Sequence, residues 1–232
     1  MDIFDILGPV MIGPSSSHTA GAARIGYMAR TLLAEEPEKA VIHLYGSFAD
    51  TGPGHGTDRA LVAGLLGCKP DDQRIPFAFD EARKAGLEFF IDEVDLREAH
   101  PNTAIIDVTG KGGKHLVLEA ASLGGGRIRV SKIDGVDVSF TGEYNTLIIR
   151  NRDENGVLAA VTTILNQLRI NVANMSMFRS RRGGDALMII ETDQHIKPHQ
   201  VTFLSDLEGV LSVTYYDKEV EEDVSGFDES NL

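Results

Sequence analysis

The chain has 232 residues, of which 42% are hydrophobic, a single cysteine and a formal net charge of −13 at pH 7. This length supports two modest hydrophobic cores, the single cysteine excludes an intrachain disulfide, and the negative charge argues against a nucleic-acid partner, because phosphate binding needs a basic surface. Residues 1–10 lack the basic start and apolar stretch of a signal peptide, and no segment approaches the roughly 18 apolar residues that span a bilayer. We therefore expect a cytoplasmic protein without membrane contact.

A hydroxyl-rich segment, residues 13–19 (GPSSSHT), precedes a helix that is predicted to begin near residue 17, because apolar residues 22, 25, 29 and 32 recur at helical spacing. The free backbone N–H groups of this helix, the positive end of its dipole and four nearby hydroxyls would together hold a carboxylate or a phosphate. One hydroxyl would suffice as an ordinary helix cap, but four hydroxyls beside an imidazole favour a ligand site. The residues concerned are Ser15, Ser16, Ser17, His18 and Thr19.

A glycine-rich segment, residues 51–58 (TGPGHGTD), lies between a predicted strand at residues 41–48 and a predicted apolar helix at residues 61–66. We expect a loop here, since alternating glycines allow positive φ angles and the close approach of a ligand. The segment is neither a dinucleotide fingerprint nor a P-loop, because Thr57 stands where a third glycine is required and the lysine is absent. A tight turn whose Asp58 caps the next helix is the alternative.

The remainder of the first half is predicted to form a mixed sheet covered by the two N-terminal helices. Strands are predicted at residues 87–91 and 104–108, and residues 116–133 have the pattern of a hairpin with a glycine-rich turn. The pattern changes near residues 142–146, where we expect a domain boundary. Residues 217–232 carry seven acidic residues and one lysine, which is typical of a solvated, frayed terminus.

After residue 146 the pattern predicts the order strand, helix, strand, strand, helix, strand. The first helix is predicted because apolar residues 157, 161, 164, 165 and 168 recur at helical spacing. This order is typical of a ferredoxin-like fold. The six predicted elements are residues 147–151, 157–168, 172–179, 186–192, 198–207 and 210–216.

Four long segments closely resemble, in order, the beta subunit of the two-subunit, iron-sulfur-dependent L-serine dehydratases: GPSSSHTAGAARIG, TGPGHGTDRALVAGLLG, HPNTAIIDVTG and TGEYNTLIIRNRDENG. The resemblance covers essentially the whole chain. It implies conversion of L-serine to pyruvate and ammonia with a [4Fe-4S] cluster rather than pyridoxal phosphate. It also implies an α+β fold, with a mixed α/β allosteric-substrate-binding-like domain at residues 1–145, shared with some phosphoglycerate dehydrogenases, an ACT domain at residues 146–218 and an acidic tail at residues 219–232.

The single cysteine limits what this chain contributes to such a cluster. A [4Fe-4S] cluster needs at least three cysteine ligands, and Cys68 ends an apolar helix, where a buried and inert thiol is expected. The resemblance assigns the cluster cysteines to an alpha subunit, so a separate partner chain is implied. A zinc site formed by His18, His55 and Asp58 is the metal alternative, but no cysteine pair or close histidine spacing supports it.

The resemblance also implies roles in removing the hydroxyl of serine. Proton abstraction from Cα needs a general base, and the candidates are His18 and His55, which both lie in glycine-flanked segments that can share a pocket. Alternatively, each histidine hydrogen-bonds the substrate while a group of the alpha subunit takes the proton. An iron of the partner's cluster would assist the departure of hydroxide. The expected substrate-binding residues are Ser15, Ser16, Ser17, Thr19, Gly54 and Asn102.

The resemblance to ACT domains implies a second amino-acid site. The family pattern of a glycine before the first helix and an asparagine after it matches Gly156 and Asn171, whereas Asn155 replaces the usual proline. ACT domains pair side by side and bind an amino acid at the junction. We therefore expect a regulatory site at Asn155, Gly156 and Asn171, with L-serine as a candidate regulator. A domain used only for dimerisation is the alternative.

A non-catalytic amino-acid sensor is the rival interpretation of the whole chain. In that case the ACT domain binds a ligand and the first domain passes the signal to another protein. An adjacent reading frame with clustered cysteines would favour the dehydratase subunit, and its absence would favour the sensor.

Overall fold

The computed structural model describes residues 11–179 and 181–218, and the predicted acidic tail at residues 219–232 lies outside them. A six-stranded sheet and a four-stranded sheet, each with helices, form the frame of the described part. This arrangement confirms the predicted α+β class. Within the same residues, no helix is long and apolar enough to cross a membrane.

The first half of the chain forms a mixed sheet with helices, as predicted. Its strands are β1 (Pro37–Tyr45), β2 (Glu88–Glu93), β3 (Thr103–Gly110), β4 (His115–Gly124), β5 (Arg127–Ile133) and β6 (Val136–Phe140). Its helices are α1 (Ala22–Leu33), α2 (Ser47–His55), α3 (Thr57–Leu65) and α4 (Ala78–Ala85), with a π-helical turn at Ser16–Gly21 and a 3-10 turn at Ile75–Phe77. The strand order is β2-β1-β3-β4-β5-β6, in which β1 and β2 pair in parallel and the other neighbours are antiparallel. The predicted hairpin is formed by β4 and β5.

Helices α1 and α3 cross closely at two glycines. A Cβ on Gly26 would lie 3.0 Å from the Cα of Gly64, and a Cβ on Gly64 would lie 2.8 Å from the carbonyl carbon of Gly26. The two backbones therefore approach more closely than larger residues would allow. Ile25, Met28 and Leu61 of the same helices are fully buried, and each stabilises the fold by roughly 1.5–3 kcal/mol by leaving water. This crossing fixes the position of α1.

The glycine-rich segment at residues 51–58 is helical as far as His55, so the predicted loop is wrong. Strand β1 ends at Tyr45 rather than at residue 48, and α2 follows it. Phe48, which has no exposed surface, anchors α2 in the core, and its burial outweighs the low helix propensity of glycine and proline. Of the three glycines only Gly56, which ends α2, has a positive φ, 71°.

The alternative prediction, that Asp58 caps the next helix, is also wrong. Gly56 is the residue before α3, and no side chain caps this helix. Asp58 lies in the first turn of α3, where a negative charge suits the helix dipole, and its carboxylate accepts the N–H of Arg59 at 2.7 Å.

The second half of the chain forms a four-stranded antiparallel sheet with two helices. Its elements are β7 (Asn145–Arg152), α5 (Val157–Gln167), β8 (Val172–Arg179), β9 (Asp185–Thr192), α6 (Pro198–Ser205) and β10 (Val210–Tyr216). The strand order is β10-β7-β9-β8. Val161 and Leu165 of α5 and Leu204 of α6 are buried against Leu147 and Met188 of this sheet. The element order confirms the ferredoxin-like prediction.

The second sheet also contacts the core of the first half. Alternate residues of a strand point to opposite faces, so Ile148, which follows the helix-facing Leu147, points away from α5 and α6. Ile148 and Ile189 belong to the core cluster of the first half. The rings of Tyr27 on α1 and Tyr216 on β10 meet edge to face, with their centroids 6.4 Å apart. Helix α1 therefore connects the second sheet to the hydroxyl-rich segment before it.

Candidate active site

The hydroxyl-rich segment forms the π-helical turn that leads into α1. Ser15 precedes the turn in an extended conformation, and its Oγ accepts the N–H of His18 at 3.1 Å. The Ser15 carbonyl accepts the N–H groups of Thr19 at 2.9 Å and Ala20 at 3.3 Å. π-helical turns are rare and frequently lie at functional sites. The predicted helix start is thus confirmed, with a wider first turn than expected.

Thr19 links the two predicted site segments. Its side chain is almost completely buried, and its hydroxyl donates to the carbonyl of His55 at 3.0 Å. On the other side, a Cβ at Gly13 would lie 2.8 Å from Thr19 Oγ, so this close contact depends on glycine. Thr19 therefore holds the end of α2 against the π-helical turn, and its hydroxyl hydrogen is committed to a protein acceptor.

His18 and His55 lie next to each other at this junction. Their ring centroids are 5.2 Å apart, and the ring planes are inclined by 43°. Nδ1 of His18 lies 3.1 Å from Ser17 Oγ and 3.5 Å from Ser15 Oγ. Nε2 of His18 lies 3.0 Å from Ser47 Oγ. Both nitrogens of His18 therefore face hydroxyl groups.

The pKa of His18 is lowered from its ordinary value. Burial is the largest cause, because it penalises the charged imidazolium. The neighbouring His55 acts in the same direction, whereas a hydrogen bond with the backbone of Ser47 opposes them. His18 is therefore neutral at neutral pH. A neutral imidazole donates one hydrogen bond and accepts another, which two hydroxyl partners can satisfy.

His55 is exposed, and the position of its ring hydrogen follows from its partner. Its Nδ1 lies 3.2 Å from the carbonyl oxygen of Thr51, one turn earlier in α2. A carbonyl only accepts hydrogen bonds, so in the neutral ring Nδ1 carries the hydrogen and Nε2 carries the lone pair. The hydrogen bond to Thr51 leaves this Nε2 without a partner among the described residues. His55 thus offers a basic nitrogen beside His18.

The remaining predicted residues lie in or beside the chain segments that carry the two histidines. Ser16 is half-buried in the π-helical turn, and Gly54 is exposed on the last turn of α2 with open space where a Cβ would lie. Asn102 follows Pro101, whose carbonyl oxygen would lie 2.7 Å from a Cβ on Gly46, directly before α2. Asn102 is therefore the sequence neighbour of a residue that contacts the start of α2.

Three side chains around the site were not predicted from the sequence. Ser47 contacts His18 as described, and Phe48 meets the same ring edge to face at 5.4 Å. Ser122 is fully buried under Gly21, and its hydroxyl has no hydrogen-bond partner among the described residues. Positions 47, 51 and 55 share one face only because this segment is a helix, which the sequence pattern did not predict, so no local signal singled out Ser47.

The described residues do not form a metal centre of their own. No group of three or more His, Cys, Asp or Glu side chains among them is placed to hold a metal ion, and this includes the zinc alternative with Asp58. Cys68 is 1% exposed, and burial raises the pKa of its thiol to about 11. Because metals bind the thiolate, this buried thiol does not fit an iron-sulfur cluster.

The predicted regulatory residues lie at opposite ends of α5. Asn155 and Gly156 precede the helix, and Gly156 has a positive φ of 95°. Asn171 follows the helix, and its Nδ2 donates to Oδ2 of Asp193 at 2.5 Å. A helix of 11 residues is roughly 16 Å long, so one copy of the chain keeps the two groups apart. A site that uses both ends therefore needs two copies.

An open cleft of about 640 Å³ lies beside Asn155. Arg179 and the backbone N–H of Gly183 donate to the same oxygen of Asp153, at 2.7 and 2.9 Å. These bonds, with the Gly183 bond as the larger cause, lower the pKa of Asp153 from its ordinary value. The cleft is thus lined by side chains of both charge signs, of which Asp153 and Arg179 are paired with each other. Its lining residues are Asp153, Glu154, Asn155, Arg179, Arg182 and Gly183.

Comparison with known proteins gives two family matches, serine dehydratase beta chain over residues 1–85 and ACT domain over residues 145–201. The chain is 43% identical over 212 residues to the probable L-serine dehydratase, beta chain, of Bacillus subtilis (strain 168), covering 91% of this chain and 96% of that protein. It is 35% identical over 212 residues to the L-serine dehydratase, beta chain, of Peptoniphilus asaccharolyticus, covering 91% and 94%. A D-3-phosphoglycerate dehydrogenase of Bacillus subtilis (strain 168) is 26% identical over 202 residues, which are 84% of this chain and 37% of that protein.

These matches agree with the resemblance found in the four sequence segments. The serine dehydratase match contains both histidines, at positions 18 and 55, and the ACT match begins at the first residue of β7. This chain matches the probable L-serine dehydratase beta chain of Bacillus subtilis and the L-serine dehydratase beta chain of Peptoniphilus asaccharolyticus along nearly their whole length. The chain therefore belongs to the L-serine dehydratase beta-chain family, with an ACT domain in its second half.

Proposed function

We propose that this chain is the beta subunit of an enzyme that converts L-serine to pyruvate and ammonia together with an alpha subunit. The observation that carries the proposal is the contact between His18 and His55, with ring centroids 5.2 Å apart, beside the serine hydroxyls of the π-helical turn. Two adjacent imidazoles and several hydroxyl donors suit a small substrate that has a carboxylate and must lose a proton and a hydroxyl group.

We assign the general base to His55. Loss of the Cα proton and of hydroxide from serine gives an enamine, which hydrolyses to pyruvate and ammonia. Nε2 of His55 carries a lone pair, whereas both nitrogens of His18 are engaged by hydroxyls, so His55 is better placed to take the proton. His18 then orients the groups that bind the carboxylate. We assign the carboxylate to Ser15, Ser16 and Ser17, with Gly54 and Asn102 at the edge of the site.

We assign the [4Fe-4S] cluster to the alpha subunit. Such clusters are held by cysteine thiolates, and the one cysteine of this chain is buried. In the partner, the cluster would supply Lewis-acid chemistry for the departing hydroxide. The contribution of this chain is then the base and the groups that orient the carboxylate.

The test of this function is the reaction itself. We expect the chain co-expressed with an alpha subunit and purified without oxygen to release equal amounts of pyruvate and ammonia from L-serine. The chain alone should release neither product. A stable complex that binds serine but forms no pyruvate would contradict the enzymatic role and favour the amino-acid sensor.

We also propose that the chain divides into a catalytic domain, residues 1–145, and a regulatory ACT domain, residues 146–218. In this proposal two copies pair through the ACT domain and bind an amino acid at Asn155, Gly156 and Asn171. The cleft with charges of both signs beside Asn155 supports an amino acid as the ligand. The contact of Tyr216 with α1 supports regulation, because α1 begins at the turn that carries His18.

Asn171→Ala is expected to remove the stabilisation of the chain by the regulatory amino acid. We expect L-serine at a hundred times its dissociation constant to stabilise the chain by roughly 2.7 kcal/mol, measured by calorimetry without the alpha subunit. Asn171→Ala should abolish this melting shift and change the serine dependence of the assembled enzyme, with maximal turnover kept, because regulation couples distinct sites. The control is Asn166→Ala, on the exposed side of α5, which should keep the shift. If L-serine raised the melting temperature of both variants equally, Asn171 would not be part of the regulatory site.

A further inference from the structure

Ser47 occupies a position that its role in α2 does not explain. It is the first residue of the helix, after Gly46, and no side chain makes a capping hydrogen bond to this helix. A hydroxyl at a helix start commonly bonds to the helix backbone. The Ser47 hydroxyl instead lies 3.0 Å from Nε2 of His18, which is 29 residues away in the sequence.

The backbone around Ser47 is firmly fixed. Gly46 has a φ of 57° and a ψ of −127°, and a Cβ there would lie 2.7 Å from the carbonyl oxygen of Pro101. Residues with a side chain rarely adopt such angles, so glycine is required at this corner. The following residue, Phe48, is fully buried and also touches the His18 ring. The Ser47 hydroxyl is therefore held against His18 by both of its neighbours.

The hydrogen bonds on the other side of His18 indicate where its ring hydrogen lies. The backbone N–H of His18 donates to Ser15 Oγ, so the hydroxyl hydrogen of Ser15 is directed onward, to Ser17 Oγ at 3.3 Å or to Nδ1. Ser17 Oγ in turn lies 3.1 Å from Nδ1. The Ser15 and Ser17 hydroxyls can therefore donate to Nδ1, and the arrangement in which they do so places the ring hydrogen on Nε2, opposite Ser47. Bonds aligned in this way strengthen one another.

We propose that Ser47 is a positioning residue that accepts the Nε2–H of His18 and holds this histidine in the tautomer opposite to that of His55. The inference rests on the proposed function for its kinetic consequence. In this arrangement the His18 ring and the serine hydroxyls bonded to it stay in place to receive the substrate carboxylate, while His55 keeps the lone pair on Nε2. Without the Ser47 hydroxyl, the Nε2–H of His18 loses this side-chain acceptor, and the balance between the two tautomers of the ring changes.

Nitrogen-15 NMR of the histidine rings in the full-length chain tests the hydrogen bond without a partner subunit. We expect His18 in the Nε2–H form and His55 in the Nδ1–H form. Ser47→Ala should turn His18 into a mixture of tautomers and leave His55 unchanged, and Ser47→Thr, which keeps a hydroxyl, should restore the original spectrum. The control is Ser205→Ala, which removes a hydroxyl bonded to Val201 on α6 and should change neither ring.

The assembled enzyme tests the consequence for the reaction. We expect Ser47→Ala to raise KM for L-serine by about three-fold to ten-fold, the effect of one lost hydrogen bond, with a smaller change in kcat. Ser47→Thr should recover most of the loss. An unchanged His18 tautomer in Ser47→Ala overturns the inference, and so does a changed tautomer with unaltered KM and kcat. If the assembled wild-type enzyme had no activity, the proposed function would be wrong instead. The NMR spectra would still show whether Ser47 accepts the Nε2–H of His18.

Discussion

His55→Ala is expected to lower kcat of the assembled L-serine dehydratase by about 100-fold to 10,000-fold, the usual contribution of a general base. The expectation follows from the hydrogen bond between Nδ1 of His55 and the carbonyl of Thr51, which leaves Nε2 as the acceptor for the Cα proton. KM should change little, because the carboxylate is assigned to the serine hydroxyls. Steady-state kinetics with L-serine, together with the melting temperature of the variant, measures both effects.

Two further variants give this experiment its controls. His18→Ala should also lower kcat/KM, but mainly through KM, since both nitrogens of His18 serve hydroxyl groups. His199→Ala removes a histidine on α6, where its ring contacts Phe203, and should leave the kinetics unchanged. If His18→Ala and His55→Ala both kept kinetics close to those of the wild type, the catalytic groups would have to lie entirely in the partner subunit.

The second half of the fold was predictable because local pattern and tertiary structure agree there. The predicted helix at residues 157–168 and strand at residues 172–179 match α5 and β8 within one residue. In α5 the apolar spacing that predicts the helix is also the spacing of its buried residues, Val157, Val161 and Leu165. The strand at residues 210–216 matches β10 in the same way. Here no long-range contact had to override local preference.

Helix α2 was not predictable by the same reasoning. Two glycines and a proline at residues 52–54 lower the local helix propensity, and the apolar Phe48 extends the pattern of the preceding strand. What decides the structure is the burial of Phe48 and the contact of Gly46 with Pro101, which lies 55 residues later in the chain. Contacts between segments so far apart leave no local pattern in a single sequence.

That His18 and His55 lie close together was predictable from the sequence, but the hydrogen bonds of their rings were not. The two histidines stood out because each lies in an unusual run of glycine or hydroxyl residues. The roles that we propose for them differ because the ring nitrogens of His18 meet hydroxyls, whereas Nδ1 of His55 meets a carbonyl. This distinction requires the positions of Ser47 and Thr51 on a helix that the sequence did not predict.

The isolated chain is expected to bind no [4Fe-4S] cluster, even after anaerobic treatment with iron and sulfide. Cys68 is 1% exposed and the pKa of its thiol is about 11, so it is neutral and inaccessible at neutral pH, whereas a cluster is held by several thiolates. The chain should stay colourless and free of bound iron. The complex with the alpha subunit should show the broad visible absorption of a cluster under the same treatment.

Cys68→Ala separates a cluster held by the partner from one shared between the subunits. If the alpha subunit supplies every protein ligand, the assembled variant should keep the iron content, absorption and kcat of the wild type. Removing one buried sulfur atom should lower only the melting temperature, because a small cavity is left in the core. A folded Cys68→Ala complex that loses iron, or a cluster spectrum from the isolated chain, would contradict this assignment. In either case the buried thiol would have to become accessible and ionised when the subunits assemble.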